Sequence, residues 1–176
     1  MNQPRCPIPP EGGPRDHFFG QGPAVFGVIL IYWFLGGVGI VLAPQWTTIQ
    51  VLPYWLVGSL GVLMSMAGVG LYVASLRALL ACRQEGVLCT GGPFGLCRHP
   101  IYVAWGLLMA PGVLLIANSW LGAFGPILLH LPVRALAMRE EPGLQRSFGE
   151  QYTAYRRRVP PVPGGSADAE DDRQSE

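Results

Sequence analysis

From Phe18 to Leu76 the chain contains no Asp, Glu, Lys or Arg, and from Ile101 to Val133 it again contains none. An α-helix needs about 20 apolar residues to cross the hydrocarbon core of a bilayer, so each run can supply two spans. Half of the residues are hydrophobic and 13% are charged, a balance outside that of soluble globular domains. The chain therefore reads as an all-α, polytopic membrane helix bundle with about four transmembrane helices.

Pro44, Gln45, Trp46, Thr47, Thr48 and Gln50, with Pro53 beyond them, interrupt the first run and place spans near Gly22–Ala43 and Tyr54–Leu76. Asn118-Ser119-Trp120 divides the second run into a short span from about Pro100 to Ala117 and another from about Leu121 to Met138. Pro111-Gly112, Pro126 and Pro132 are expected to bend these last two. Short loops carrying arginine stay in the cytoplasm. Arg5 and Arg15 precede the first span, and Arg77, Arg83 and Arg98 lie between the second and third. Arg134, Arg139, Arg146, Arg156, Arg157, Arg158 and Arg173 lie at or beyond the end of the fourth, and the other two loops have none. An even number of spans puts all of these on one face. Both termini are thus expected to be cytoplasmic, at the plasma membrane if the protein is bacterial.

Residues 1–20 are rich in Pro and Gly and lack the basic region and cleavage site of a signal peptide, so the first span is expected to be an uncleaved anchor behind a disordered segment. Residues 21–159 form the membrane domain, with the chemistry expected in 77–159. From Pro160 the composition turns to Pro, Gly, Ser and acids, so 160–176 is expected to be a disordered acidic tail. Cys6, Cys82, Cys89 and Cys97 contain no C-x-x-C pair and have no His at zinc-like spacing, so no metal is expected. All four fall on the reducing side and are expected to be free thiols.

The polar residues that interrupt this apolar chain cluster in two places. Gly91-Gly92-Pro93-Phe94-Gly95 resists helix formation and reads as a turn bringing the chain back to the membrane, without the strand and spacing of a nucleotide fingerprint. Arg98-His99-Pro100-Ile101-Tyr102 follows. Pro100 suits a first helical turn and pushes His99 out of helical conformation, so Arg98 and His99 sit at the mouth of the third span with Tyr102 facing the same crevice. Free backbone donors at that helix start, beside Arg98, favour anionic groups. The same residues could instead be an interfacial anchor. Glu140-Glu141 form the second cluster. With Pro142 expected to end the fourth helix, these acids face the negative end of its dipole, and a cation is expected to offset them: Arg98, Arg139 or a bound ligand. A solvated acidic face is the plainer alternative. Next, Leu144, Phe148, Tyr152 and Tyr155 recur at helical spacing, which predicts a cytoplasmic amphipathic helix on the membrane or over a cavity. Gly149 inside it would allow close backbone approach, and Arg156-Arg157-Arg158 could meet lipid headgroups.

Taken in order, G-P-F-G-L-C-R-H-P-I-Y, an apolar hairpin, and E-E-P-x-L-x-x-x-F-G-x-x-Y-x-x-Y-R-R-R-V-P resemble the isoprenylcysteine carboxyl methyltransferase and phospholipid methyltransferase superfamily, over about Gly91 to Pro163. The resemblance implies an integral membrane enzyme using S-adenosyl-L-methionine without a soluble Rossmann-like domain. It places the cofactor on His99, Tyr102 and Glu141, with Gly95 and Tyr152 beside them. Arg98, Glu140 and Arg157 form the implied catalytic set, the arginines orienting the cofactor carboxylate or the substrate and Glu140 in support. The segment from Leu144 to Tyr155 would cover the cofactor. The implied partners are the lipid bilayer and a lipophilic or prenylated acceptor, with no nucleic acid. That acceptor could be a prenylated-cysteine carboxylate, a phospholipid amine or a small isoprenoid or fatty metabolite. Pro161-Val162-Pro163 stands where such families often carry an Arg. His130, inside the fourth span, is expected to face the bundle interior.

Two other functions fit parts of the pattern. Sterol reductases share an R-H-P-x-Y element but use NADPH, carry D-E rather than E-E, and are longer. A non-catalytic protein could pack its spans through Gly36, Gly37, Gly39, Gly58, Gly61, Ser65, Gly68 and Gly70, but this leaves the convergence of His99, Tyr102, Glu140 and Glu141 unexplained.

Overall fold

The structure, a computed structural model, describes residues 22–164. The segment 1–20, with Arg5, Arg15 and Cys6, and the tail from residue 165, with Arg173 and the acidic run, lie outside the described residues. Helix α1 spans Gly22–Leu42, the short α2 Pro44–Thr47 and α3 Tyr54–Glu85. Then come α4, Pro100–Ile116, α5, Trp120–Phe148, and α6, Glu150–Arg156. Three of these, α1, α3 and α5, are long and apolar enough to cross a membrane, and α4 is a shorter apolar helix.

Helix α1 is apolar all round, so its inner face is set by packing rather than by polarity. Val25, Ile29, Tyr32 and Gly36 are buried at helical spacing, while Leu30, Ile31, Phe34 and Leu35 face outward. Tyr32 donates to the Leu121 carbonyl at 2.5 Å and Trp33 to the Ala110 carbonyl at 3.0 Å, fastening α1 to both C-terminal helices. Helix α4 is the most enclosed. A Cβ added at Gly61 of α3 would lie 2.7 Å from the Gly112 carbonyl oxygen, so the two backbones meet where only hydrogen fits.

The loops after α1 and α3 lie at opposite ends of the bundle. At the first end Thr48 pairs with Ser119 in an antiparallel bridge, and the Ile49 amide donates to the Asn118 carbonyl at 2.9 Å. This apposition of the α1–α3 and α4–α5 connections makes two hairpins side by side.

Several boundaries differ from those the sequence predicts. Helix α3 continues past Leu76 to Glu85 and stops at Gly86, whose φ of 66° suits glycine. The reversal there brings Cys82 and Cys89 to a Cα separation of 5.4 Å in a disulfide, where free thiols are expected; Cys97 is free and buried. Gly92–Gly95 forms a 3-10 turn rather than an irregular one. Within α4, Val103–Met109 is a π-helix. Pro111 cannot donate to the preceding turn and crowds its carbonyl, and a wide turn just before it relieves the crowding. Pro142 does not end α5, which runs through Pro126, Pro132 and Pro142 to Phe148. The Arg146 side chain donates to the Pro142 carbonyl at 3.2 Å, and Gln145 bonds forward to Gly149 and Thr153, so the turns after Pro142 are held by side chains. The single amphipathic helix expected from Leu144 to Tyr155 is broken at Gly149, which takes φ 52° and has open space around it rather than a close neighbour. Finally, the chain stays packed past Pro160. Val162 is fully buried in the core cluster with Cys97, Val103, Val133 and Leu136.

Candidate functional site

At the end of the bundle opposite the Thr48–Ser119 bridge, three segments meet. His99 caps α4 with φ −125° and ψ 59°, held out of the helix by Pro100. Its carbonyl starts the first turn by accepting from Tyr102 and Val103. Just before the helix, the amides of Arg98 and His99 donate to the carbonyls of Pro160 and Pro161 at 2.9 and 3.2 Å. That strap fixes the backbone carrying both side chains.

Helix α5 supplies the acids, and the two clusters converge. Arg98 Nη1 donates to Glu141 Oε1 at 2.5 Å. Tyr102 donates its hydroxyl to Glu140 Oε1. The His99 ring lies between the acids, Nδ1 at 4.0 Å from Glu140 Oε2 and Nε2 at 3.9 Å from Glu141 Oε1, and stacks on Tyr102 with centroids 5.7 Å apart. From α6, Arg156 Nε lies 3.7 Å from Glu141 Oε2. Tyr155 donates to the Phe94 carbonyl at 2.6 Å, pinning α6 to the 3-10 turn.

Because α5 ends at Phe148, the acids sit about two turns inside it and the expected opposition to its dipole does not arise. What offsets Glu141 is direct pairing with Arg98 and Arg156. The side chains of Arg98 and Glu141 are only 1% and 9% exposed. Removing Glu141 would take the paired carboxylate from a buried guanidinium, so its loss reaches the fold as well as any ligand.

Two buried polar atoms here, His99 Nε2 and the Tyr152 hydroxyl oxygen, make no hydrogen bond. Burial, reinforced by Glu141, pushes the Tyr152 hydroxyl up to about 12 against the pull of Arg98 and Arg156, so it stays protonated. Tyr155 is raised too, chiefly by burial. Burial lifts the Cys97 thiol to about 11, offset in part by a backbone hydrogen bond at His99; Cys97 is therefore a packed thiol and no nucleophile at neutral pH.

Of the residues that the resemblance singles out, Arg98, His99, Tyr102, Glu140, Glu141 and Tyr152 come together. Gly95 does not: it is exposed in the 3-10 turn, and buried Phe94 beside it makes the contact with Tyr155. Arg157 is exposed just past α6, and Arg156 occupies the place at Glu141. Arg156 stands four residues after the buried Tyr152 and so shares its helix face, a position that the burial of Tyr152 fixes. His130 is half-buried on α5.

The sequence model of the phospholipid methyltransferase family matches residues 54–151, more than half of the chain. Over 73 residues the chain is 33% identical to protein-S-isoprenylcysteine O-methyltransferase of Mus musculus, and equally to that of Rattus norvegicus. The aligned stretch is 42% of this chain and 26% of each relative, so the chain spans about a quarter of the length of the proteins it matches. No solved structure matches it.

Proposed function

The chain belongs to the phospholipid methyltransferase family, and from that premise we propose that it is a membrane methyltransferase that uses S-adenosyl-L-methionine to methylate a lipophilic acceptor. The observation that carries this reading is the convergence of His99, Tyr102, Glu140 and Glu141 on one mouth of the bundle, with the buried His99 Nε2 and Tyr152 hydroxyl lacking partners. Buried polar atoms are normally satisfied. Two orphans beside two carboxylates suit a polar, cationic ligand.

In this reading His99 and Tyr152 offer hydrogen bonds, Tyr102 and the acids hold the positively charged end, and Arg98 or Arg156 faces the ligand carboxylate. S-adenosyl-L-methionine supplies a methyl group on a sulfonium, which passes to the acceptor as the carbon–sulfur pair returns to sulfur. The protein then needs chiefly to align and desolvate the reactants. A carboxylate acceptor requires no base, whereas an amine must first lose a proton. Helix α6 covers the site from the aqueous side, and the acceptor would arrive from the bilayer between helices. The arginines gathered at this end favour a cytoplasmic location for it. The family match and the E-E pair favour methyl transfer over the reductase alternative. The close contact at Gly61 accounts for packing within the same enzyme rather than for a separate structural role.

Membranes incubated with methyl-labelled S-adenosyl-L-methionine should incorporate label into a lipid-soluble acceptor, and base-labile volatile label would mark a methyl ester. Absence of label from protein, phospholipid and neutral lipid alike would defeat the proposal. His99 makes no side-chain hydrogen bond that the fold needs, so His99→Ala should lose cofactor binding in calorimetry while keeping its helical circular dichroism. Unchanged affinity would remove His99 from the site.

A further inference from the structure

We infer that the adjacent carboxylates divide the work of the site: Glu140 meets the positive charge of the methyl donor, and Glu141 is the anchor that holds Arg98 and α6. This rests on the donor-binding reading above and assigns charge recognition to one side chain.

Neighbouring positions on a helix point about 100° apart, and the two acids have different company as a result. Glu141 is bracketed by two guanidinium groups from different segments, Arg98 on Oε1 at 2.5 Å and Arg156 at 3.7 Å from Oε2. A further cation arriving at Glu141 would have to displace one of them. Glu140 Oε1 accepts from the Tyr102 phenol, and its Oε2 faces the His99 ring at 4.0 Å. A phenol orients a carboxylate without neutralising it. The Glu140 side chain is also 25% exposed, against 9% for Glu141, so a ligand can reach it. An independent observation points the same way: the His99 side chain is 6% exposed, its Nε2 has no hydrogen-bond partner, and the same ring stands beside Glu140. The site thus offers a phenol-bonded carboxylate next to an unsatisfied buried nitrogen.

The consequence is selectivity by charge. S-adenosylmethionine carries a sulfonium, and its product S-adenosylhomocysteine a neutral thioether. A carboxylate aimed at the sulfur favours donor over product and lets product leave, whereas an anchoring carboxylate affects both ligands alike.

The test is calorimetric titration of both compounds into the full-length protein in lipid nanodiscs, for wild type, Glu140→Gln and Glu141→Gln. The amide oxygen introduced by Glu140→Gln can still accept from Tyr102, so that variant should fold. Glu140→Gln should weaken S-adenosylmethionine about tenfold, the scale of one partly solvated charge contact, and leave S-adenosylhomocysteine within about twofold. Glu141→Gln should lower the thermal midpoint and move both affinities together. If it does not fold, Arg156→Gln loosens the same anchor and should also preserve the donor-to-product ratio. A Glu140→Gln protein that keeps the wild-type ratio, or a Glu141→Gln or Arg156→Gln protein that loses it, overturns the division. Failure of wild type to bind either compound would instead defeat the donor-binding reading itself.

Discussion

At one end of the bundle Thr48 and Ser119 join through backbone groups, with Asn118 donating its side-chain amide to the Ile49 carbonyl at 3.1 Å. At the other end Arg98, His99, Glu140, Glu141 and Arg156 meet through charged and aromatic side chains. Both ends tie the same hairpins together. A backbone bridge does so with no net charge, and the buried polar atom left without a hydrogen bond beside it is the neutral Asn118 Oδ1. The opposite end concentrates buried charge and unpaired polar atoms, an arrangement that costs stability and is retained where a ligand completes it.

The contrast breaks hardest at Glu141. Glu141→Ala leaves Arg98 buried beside an empty position and should cost about 3–5 kcal/mol, seen as a large fall in the thermal midpoint of detergent-purified protein. A fall no larger than that from a change at the bridged end would erase the distinction. Toward that end, Gly61→Leu forces a side chain against the Gly112 carbonyl and should cost about 1–3 kcal/mol, with S-adenosylmethionine affinity retained in whatever fraction folds. Alkali should act on the charged end. Cys97 and Tyr152 are raised in the folded protein to about 11 and about 12, so the unfolded chain loses their protons first. Stability is then intact below about pH 9, declines as pH rises toward 12, and loses of the order of 2 kcal/mol for each group. A thermal midpoint that stays flat from about pH 9 to 12 would refute this. Ser119 caps α5 by accepting from the Leu121 amide, and Ser119→Ala should cost about 1 kcal/mol with no change in ligand affinity. A change in affinity would show that the two ends communicate.

The membrane helices were legible because charge-free length is a property of composition, and it survives ignorance of packing. The convergence of His99, Tyr102 and the twin acids was legible because Pro100 and the hairpin fix where each begins. What escaped depends on tertiary support. Pro142 stops an isolated helix, but here Gln145 and Arg146 carry α5 beyond it. The choice between Arg156 and Arg157 turns on a rotation of one residue, which only the burial of Tyr152 and Tyr155 fixes. The Cys82–Cys89 pairing depends on the reversal at Gly86, and redox compartment alone pointed the other way. The burial of Val162 has no local signature, because Pro-Pro-Val-Pro looks like linker until Arg98 and His99 claim its carbonyls.

That last contact sets a practical limit on redesign. A reporter or affinity tag joined directly after Val159 would remove the two carbonyls that steady the imidazole-bearing turn and expose the hydrophobic seat of Val162. Joined after Gly164, the same fusion keeps them. Any shortened version of this protein must therefore run at least through Pro163.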